Sequence, residues 1–257
     1  MVAMTRFDCM IGSASGQRQA VAQAVNHAAG RAAFGKTLLD QPLMRNVLAD
    51  LQLEVEGSLA IAMRMGEALD QSTLDPSNSH ESLLLRLGLP AGKYWICKRT
   101  PNHAYEAMEC IGGSGVMEDC IMPRLFRESP VNAIWEGSGN VQCLDTLRAL
   151  QKEPETLDAF FREASEAKGA DRRFDLFLAQ LQQDFGDISD IQYRARNLVD
   201  RMALVMQGSL LLRHSDPAVA DAFCASRLQS AGGMNYGNLP SGTDPAAIIK
   251  RATPVVG

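Results

Sequence analysis

Three short segments of this chain combine residue types that can bind a cofactor or move a proton. The first runs from Arg31 to Lys36 and is a basic, glycine-containing corner between two long amphipathic stretches. Its arginine can pair with a phosphate through two hydrogen bonds, and Phe34 can cover an aromatic ring, as a dinucleotide cofactor requires. The alternative is a surface turn whose cation caps a helix, which is favoured when this segment is considered alone.

The second segment, from Ile111 to Gly115, contains three glycines in four residues. Such a backbone either approaches a ligand closely or ends a helix in a left-handed turn. It is not a dinucleotide-fold fingerprint, because that motif follows a strand and opens a helix, whereas this segment follows a helical pattern. It therefore indicates a cofactor site only in combination with other segments.

The third segment, from Ala133 to Asn140, places Glu136 between Trp135 and a Gly/Ser loop just before a predicted helix. A carboxylate in that position can be a partly desolvated base. It can equally be an acidic residue of the first helical turn that complements the helix dipole, and without further context this second interpretation ranks first.

The spacing of apolar residues predicts that helices carry these segments. A first long amphipathic helix ends at Gly30. A second begins after Asp40, the expected N-cap, with Pro42 in its first turn, and ends in a polar loop over 71–79.

A third helical region is expected over about 81–111. Gly88 and Pro90 should interrupt it, and Pro101 should kink or divide it, because proline removes a backbone donor and clashes with the preceding turn. An irregular segment is expected over 118–127.

The remaining elements are also predicted to be helical. One helix runs through Val141 and Leu150, and residues 151–228 follow the same pattern, with a helix near Ile188 to His214. Residues 232–257 are rich in Gly, Pro and Asn and are expected to form a loop.

No run alternates as a strand does, so the expected fold class is all-α. We predict an up-down helical bundle over residues 1–150 and a C-terminal helical extension over 151–257. Composition fits a globular chain, with 46% hydrophobic and 21% charged residues.

Charge and cysteine usage narrow the function classes. The net charge of −5 gives no global reason to bind nucleic acid. The six cysteines include no C-x-x-C pair, which argues against a zinc site or a disulfide framework and for reduced, mostly buried thiols. Residues 1–10 resemble neither a signal peptide nor a membrane anchor, so a cytoplasmic protein without a membrane segment is expected.

Taken together and in order, the three segments resemble the C-terminal helical domain of the acyl-CoA dehydrogenases, over about residues 4–150. That family has an R-x-x-F-G corner, a glycine pair after Q/E-x-x-G-G, an arginine-bearing segment and an E-G-[ST] loop. The matching positions here are Arg31 to Gly35, Glu109 to Gly113, Arg124 and Arg127, and Glu136 to Ser138. The sequences from Pro123 to Asn140 and from Cys143 to Arg148 resemble the AidB-like, alkylation-response branch of the family, and so does the helical C-terminal extension.

The resemblance implies that FAD is bound at a subunit interface. By position, Arg31 would meet the pyrophosphate, Phe34 and Gln41 would pack on the cofactor, and Gly113 would lie against its adenosine end. Members form dimers or tetramers through this domain, so a homo-oligomer is implied. A catalytically silent helical bundle that serves only for oligomerisation is a further alternative, in which Phe34 and Leu38 would be interface residues.

Three other cofactor positions depart from the family's usual residues. Ser138 and Asn140 stand where the family frequently has threonine and glutamine beside the flavin. They are smaller side chains with the same hydrogen-bonding groups. Glu109 replaces a frequent glutamine. A carboxylate cannot donate the hydrogen bond that an amide donates, so this contact is expected to differ.

The family reaction assigns roles to the third segment. Glu136 occupies the position of the carboxylate that removes the proton alpha to a thioester carbonyl, while the beta hydride passes to the flavin. This requires a carboxylate in a dry pocket opposite the flavin. Trp135 and Arg148 would narrow the acyl-CoA pocket or change its charge. Arg148 can equally be a partner of the helix dipole at the C-terminus of its helix.

The resemblance also implies an N-terminal helical domain and a β-domain before residue 1, so this chain alone is expected to bind FAD weakly. A DNA-associated protection protein is an alternative, because the AidB-like branch is linked to alkylation stress. A basic stripe in the extension would carry it, formed by Arg194, Arg196, Arg201 and Arg213. Acidic residues lie among these arginines, as on an ordinary solvated helix face, namely Asp187, Asp190 and Asp200.

Overall fold

The computed structural model describes residues 2–187, 189–229 and 242–253. Helices dominate these residues, which confirms the all-α fold class. The first five are α1 (Val2–Gly30), α2 (Pro42–Leu74), α3 (Ser79–Ile111), α4 (Met122–Ile134) and α5 (Gly139–Lys152). The next five are α6 (Glu155–Ser165), α7 (Arg172–Gly186), α8 (Ile191–His214), α9 (Pro217–Phe223) and α10 (Pro245–Ala252). Two-residue strands β1 (Ala32–Ala33) and β2 (Lys36–Thr37) pair antiparallel at the first corner.

Helices α1 and α3 run in the same direction and pack side by side, while α2 lies against both of them. Buried polar contacts define the alignment: the Ser13 hydroxyl lies 3.3 Å from Cys97 Sγ, and Gln17 Nε2 donates to Thr100 Oγ1 at 2.9 Å. The ends of α1 and α3 therefore lie at the same end of the bundle. This parallel alignment decides which of the three motifs lie near one another.

The third helix is continuous, and the predicted interruption at Gly88 and Pro90 is wrong. Both residues are buried, and so is Gly92, where a Cβ atom would come within 2.6 Å of Met10 Cε. A Cβ atom at Gly88 would clash with Met65 Sδ of α2. Close packing of α1 and α2 on α3 therefore needs small residues here, and it outweighs the local cost of proline, about 3 kcal/mol. The helix likewise is not divided at Pro101.

The start of α2 differs from the prediction in its cap. The N-cap is Gln41, which makes no side-chain cap bond, whereas Asp40 lies in a short 3-10 turn and accepts a hydrogen bond from Thr37 Oγ1 at 2.7 Å. Pro42 opens the helix as predicted, because the first helical N–H has no partner to lose.

Two segments that were expected to be irregular contain helices. Helix α4 occupies much of the segment after Glu118, and α10 forms inside the Gly/Pro-rich ending, where the Asp244 carboxylate caps its N-terminus and Pro245 opens it. The other helices of the extension agree with the periodicity, although Ile188 and the stretches 230–241 and 254–257 lie outside the described residues.

One hydrophobic cluster joins the bundle and the extension. It includes buried side chains of α1, α2 and α3 together with Phe160 of α6, Phe174 of α7 and Met202 of α8. The two parts therefore share a core, and the division near residue 150 stays a proposal about domain organisation. Five of the six cysteines are buried, as predicted.

Within the described residues, no helix combines the length and apolarity needed to cross a membrane. The same residues contain no cluster of three or more His, Cys, Asp or Glu side chains with metal-binding geometry.

Candidate flavin and base site

The Arg31 corner is an exposed hairpin at one end of the bundle. Phe34 sits at its tip with φ 53° and a 97% exposed side chain. Gln41 Nε2 donates to the Ala33 carbonyl at 3.0 Å and so braces the hairpin from the start of α2. Arg31 is exposed, and no carboxylate of the described residues lies within ion-pairing distance of its guanidinium. The arginine is free to meet an anion.

The Glu109–Gly113 turn lies at the same end of the bundle, because α1 and α3 are parallel. The Glu109 side chain is exposed, and its backbone carbonyl accepts the Gly112 N–H that ends α3. A Cβ atom at Gly113 would meet nothing within 4 Å. The structure thus brings together the cofactor-binding candidates of the first two segments.

The third segment lies toward the other end of the bundle. A rise of 1.5 Å per residue along α1 places Gly12, which lines a pocket with Trp135 and Glu136, roughly 27 Å from Gly30, the residue before Arg31. Trp135 and Glu136 line an open pocket of about 250 Å³. The pocket is completed by residues of α1 and α4, namely Thr5, Asp8, Cys9, Gly12 and Asn132.

Glu136 belongs to a left-handed turn between α4 and α5. Its φ is 56° and that of Gly137 is 102°. Glu136 precedes the N-cap Ser138 by two residues, so it does not lie in the first turn of α5 as the helix-dipole interpretation expected. Its carboxylate is exposed on the pocket side.

Two buried side chains bind the carbonyl groups of this turn from behind. Lys93 Nζ donates to the Trp135 carbonyl at 2.8 Å and to the Gly137 carbonyl at 2.7 Å. Gln142 Nε2 donates to the Glu136 and Gly137 carbonyls at 2.8 and 2.9 Å. Three consecutive peptide oxygens therefore point into the bundle, while Trp135 and Glu136 line the pocket.

Burial controls the titration of the groups behind the turn. It lowers the pKa of Lys93, because moving an ammonium group out of water disfavours its charged form. Burial also raises the pKa of Cys9, and it raises that of Cys97 to about 12. Both thiols stay protonated near neutral pH, so they place no negative charge behind Glu136.

The remaining candidates of this group are Ser138, the N-cap of α5, and two residues of that helix. The Ser138 hydroxyl makes no cap bond, which leaves it available to a ligand. The oxygen of the Asn140 amide accepts a hydrogen bond from Arg196 Nε of α8 at 2.9 Å, which leaves the amide nitrogen to donate. Arg148 is exposed about 12 Å further along the axis. It lies just before the last turn of α5, where the basic residue is Lys152.

The three motifs do not include Lys93 or Gln142, and the sequence indicates Arg196 only as part of the basic stripe of the extension. One signal for Lys93 was present in the sequence: it follows Leu89 by four residues and precedes Ile96 by three, which places it on the buried face of the helix. No local signal indicates the contact of Arg196 with Asn140, because it joins residues 56 positions apart.

The basic stripe of the extension already has partners within the chain. Arg194 and Arg201 pair with Asp187 and Asp184, Arg213 pairs with Glu163, and Arg196 binds Asn140. Each guanidinium is therefore partly neutralised or oriented by its own chain. The DNA hypothesis stays a prediction, and these contacts give it no support.

Gly137 is the residue whose replacement tests the strain in the turn. An alanine Cβ there would lie 2.6 Å from Gln142 Nε2, at a φ of +102°. We expect Gly137→Ala to lower the free energy of unfolding by about 2 kcal/mol, as measured by urea denaturation. Gly113→Ala is the matched control, because open space surrounds that position, and it should change stability by less than about 0.5 kcal/mol. Equal effects of the two variants would contradict this account.

The comparisons with known proteins agree with the fold. The family model for the acyl-CoA dehydrogenase C-terminal domain matches residues 1–151. The chain therefore belongs to the acyl-CoA dehydrogenase family. It is 41% identical over 234 residues to AidB of Escherichia coli (strain K12), an alignment that covers 91% of this chain and 42% of AidB.

Two solved structures show the same helical arrangement. Caenorhabditis elegans ACDH-11 in complex with C11-CoA superposes with a TM-score of 0.84 at 27% identity, over 89% of this chain and 43% of that one. An acyl-CoA dehydrogenase from Bacillus anthracis complexed with FAD has a TM-score of 0.65 at 17% identity, over 87% and 45% of the two chains, which shows the fold alone. The chain thus spans less than half the length of these relatives.

Proposed function

We propose that this chain is the flavin- and base-bearing helical domain of an acyl-CoA dehydrogenase-type oxidoreductase that acts on CH–CH groups. The observation that carries the proposal is the Trp135–Gly137 turn, which directs Glu136 into a pocket in a chain of this family. In the proposed reaction Glu136 removes the proton alpha to the thioester carbonyl of an acyl-CoA. FAD, when bound, supplies the acceptor for the beta hydride.

The residues of the first two segments fit the cofactor. Arg31 offers an exposed guanidinium to a pyrophosphate, and Phe34 offers an exposed ring to an aromatic surface. Gly113 leaves room for close approach, while Gln41 braces the corner. Glu109 is exposed beside them and can accept but not donate a hydrogen bond when ionised.

Ser138 and Asn140 lie on the other side of the domain and would hydrogen-bond to the cofactor near the reacting carbon atoms. Their distance from Arg31 is too large for one compact binding site on one subunit. We therefore place FAD at an interface between two subunits, where Arg31 of one meets the cofactor beside Glu136 of another. Exposed apolar side chains such as Phe34 and Leu43, 97% and 81% exposed, support an assembly of this kind.

Trp135 and Arg148 would define the acyl-CoA pocket. The Trp135 ring is 54% exposed and its Nε1 donates to Asn132 Oδ1 at 3.0 Å, so the indole is fixed at the pocket wall. Arg148 adds a positive charge to the exposed face of α5. The ACDH-11 structure contains C11-CoA, which makes an acyl-CoA of that length the first substrate to test.

Anaerobic titration of the FAD-loaded protein with a series of acyl-CoA thioesters tests this function. We expect bleaching of the flavin absorbance by at least one chain length, because hydride transfer reduces the isoalloxazine ring. Free CoA is the control and should leave the spectrum unchanged. A protein that retains FAD yet is not bleached by any thioester of the series would contradict the proposal.

A further inference from the structure

The side chain of Lys93 is 1% exposed in the middle of α3, which is rare for a lysine without a carboxylate partner. No carboxylate of the described residues lies within ion-pairing distance of its ammonium group. Instead, its hydrogen bonds run to the carbonyls of Trp135 and Gly137, which flank Glu136. The cation thus binds one turn and no other segment through these bonds.

We infer that Lys93 is a positioning residue that fixes the backbone on both sides of Glu136 and so directs this carboxylate into the pocket. The inference rests on the proposed function of Glu136 as the base. The effect of Lys93 on the conformation of the turn can be tested without any substrate.

The backbone of the turn needs such a restraint. A non-glycine residue such as Glu136, at φ 56°, lies in a conformation that costs roughly 1–2 kcal/mol. Strain of this kind persists only where the surroundings over-determine the backbone. Gln142 binds the Glu136 and Gly137 carbonyls from α5, but Lys93 alone of these two holds the Trp135 carbonyl.

Lys93 and Gln142 come from different helices and therefore restrain the turn in different ways. Gln142 lies six residues after Glu136, and its hydrogen bonds attach the turn to the start of α5, the helix that follows it. Lys93 comes from α3, 42 residues before Trp135, and joins the turn to the core of the bundle. An apolar replacement of Lys93 removes two hydrogen bonds and leaves two partly buried carbonyl groups with fewer partners. The turn is then free to relax toward unstrained conformations.

Trp135 provides a reporter for this relaxation. The chain contains two tryptophans, so Trp95→Phe leaves Trp135 as the single indole fluorophore. In that background we expect Lys93→Met to shift the Trp135 emission to longer wavelength and to lower its anisotropy. Lys98→Met is the matched control, because Lys98 is exposed on the same helix and should leave both signals unchanged.

Unchanged emission and anisotropy in a folded Lys93→Met variant would overturn the inference. If that variant fails to fold by circular dichroism, Lys93→Gln replaces it. Glutamine keeps one donor group but is too short to reach both carbonyls, so a smaller change in the same direction supports the inference and no change overturns it.

Kinetics of the FAD-loaded protein separate positioning from general damage. We expect Lys93→Met to lower kcat by about 10- to 100-fold, because a base displaced by about 1 Å loses reactivity, with KM changed less than about threefold. An unchanged kcat in a protein that Glu136→Gln inactivates would overturn the positioning role and leave the proposed function standing. An active Glu136→Gln protein would instead reject the proposed base, while the Trp135 signals would still decide whether Lys93 controls the turn.

Discussion

Glu136→Gln is expected to lower acyl-CoA-dependent flavin reduction about a thousandfold, because the amide cannot accept the alpha proton. Glutamine has nearly the same shape as glutamate. The hydrogen bonds that hold this turn are accepted by its backbone carbonyl groups and do not involve the Glu136 side chain. The turn should therefore keep its conformation, and FAD affinity should change by less than about twofold. Stopped-flow measurement of flavin bleaching together with a titration of FAD binding separates the two effects.

Glu128→Gln is the matched control for this experiment. Glu128 is an exposed residue of α4 with no role in the proposed site, and the same substitution there should leave the rate unchanged. Undiminished bleaching by Glu136→Gln would remove the assignment of the base. Loss of bound FAD together with activity would show instead that the substitution damages the cofactor site.

Glu163→Gln is expected to lower the free energy of unfolding at pH 7 by about 3 kcal/mol. The Glu163 carboxylate is only 6% exposed and accepts hydrogen bonds from Arg64 at 2.9 Å and from Arg213 at 2.5 Å. It joins α6 to α2 and α8, so it attaches the extension to the bundle. A neutral amide leaves two guanidinium groups with one carboxylate fewer, although Arg64 keeps its pair with Glu81.

The pH dependence of this effect follows from the same contacts. Burial alone would raise the pKa of Glu163, but hydrogen bonds and charge from Arg64 and Arg213 outweigh it and lower the pKa from 4.5 to about 2. A carboxyl group with a depressed folded-state pKa stabilises the protein above its unfolded pKa. Its contribution is therefore complete above about pH 4.5 and disappears as the pH falls toward about 2.

Urea denaturation of the wild type and the variant, at several pH values from 7 down to 3, measures this contribution. The difference in stability should shrink on acidification. Glu166→Gln is the control, because Glu166 is exposed on the segment just after α6, and it should change stability by less than about 0.5 kcal/mol. A Glu163→Gln effect below about 1 kcal/mol, or one that does not vary with pH, would show that the ion cluster contributes little.

The sequence alone predicts most helices of this fold, because their signal is local. Apolar residues at helical spacing mark α1, α2, α5 and the helices α6 to α9 of the extension, and Pro42 marks the start of α2. The same local rules fail at Pro90 and Pro101, where α3 continues. Around Pro90, the close packing of Gly88 and Gly92 against α1 and α2 favours the continuous helix, and no local sequence pattern predicts that packing. Helix α10 was missed although Asp244 and Pro245 form a local start signal.

The candidate site divides in the same way. The types and order of Arg31, Glu109, Glu136 and their neighbours are sufficient to indicate the family, because each motif is a short run of residues. Which motifs lie together depends on the parallel alignment of α1 and α3, which separates the cofactor corner from the base. Only tertiary structure decides that Lys93 and Gln142 bind the turn that carries Glu136. The contact of Lys93 with the turn joins segments more than 40 residues apart, whose approach is determined by packing of whole helices.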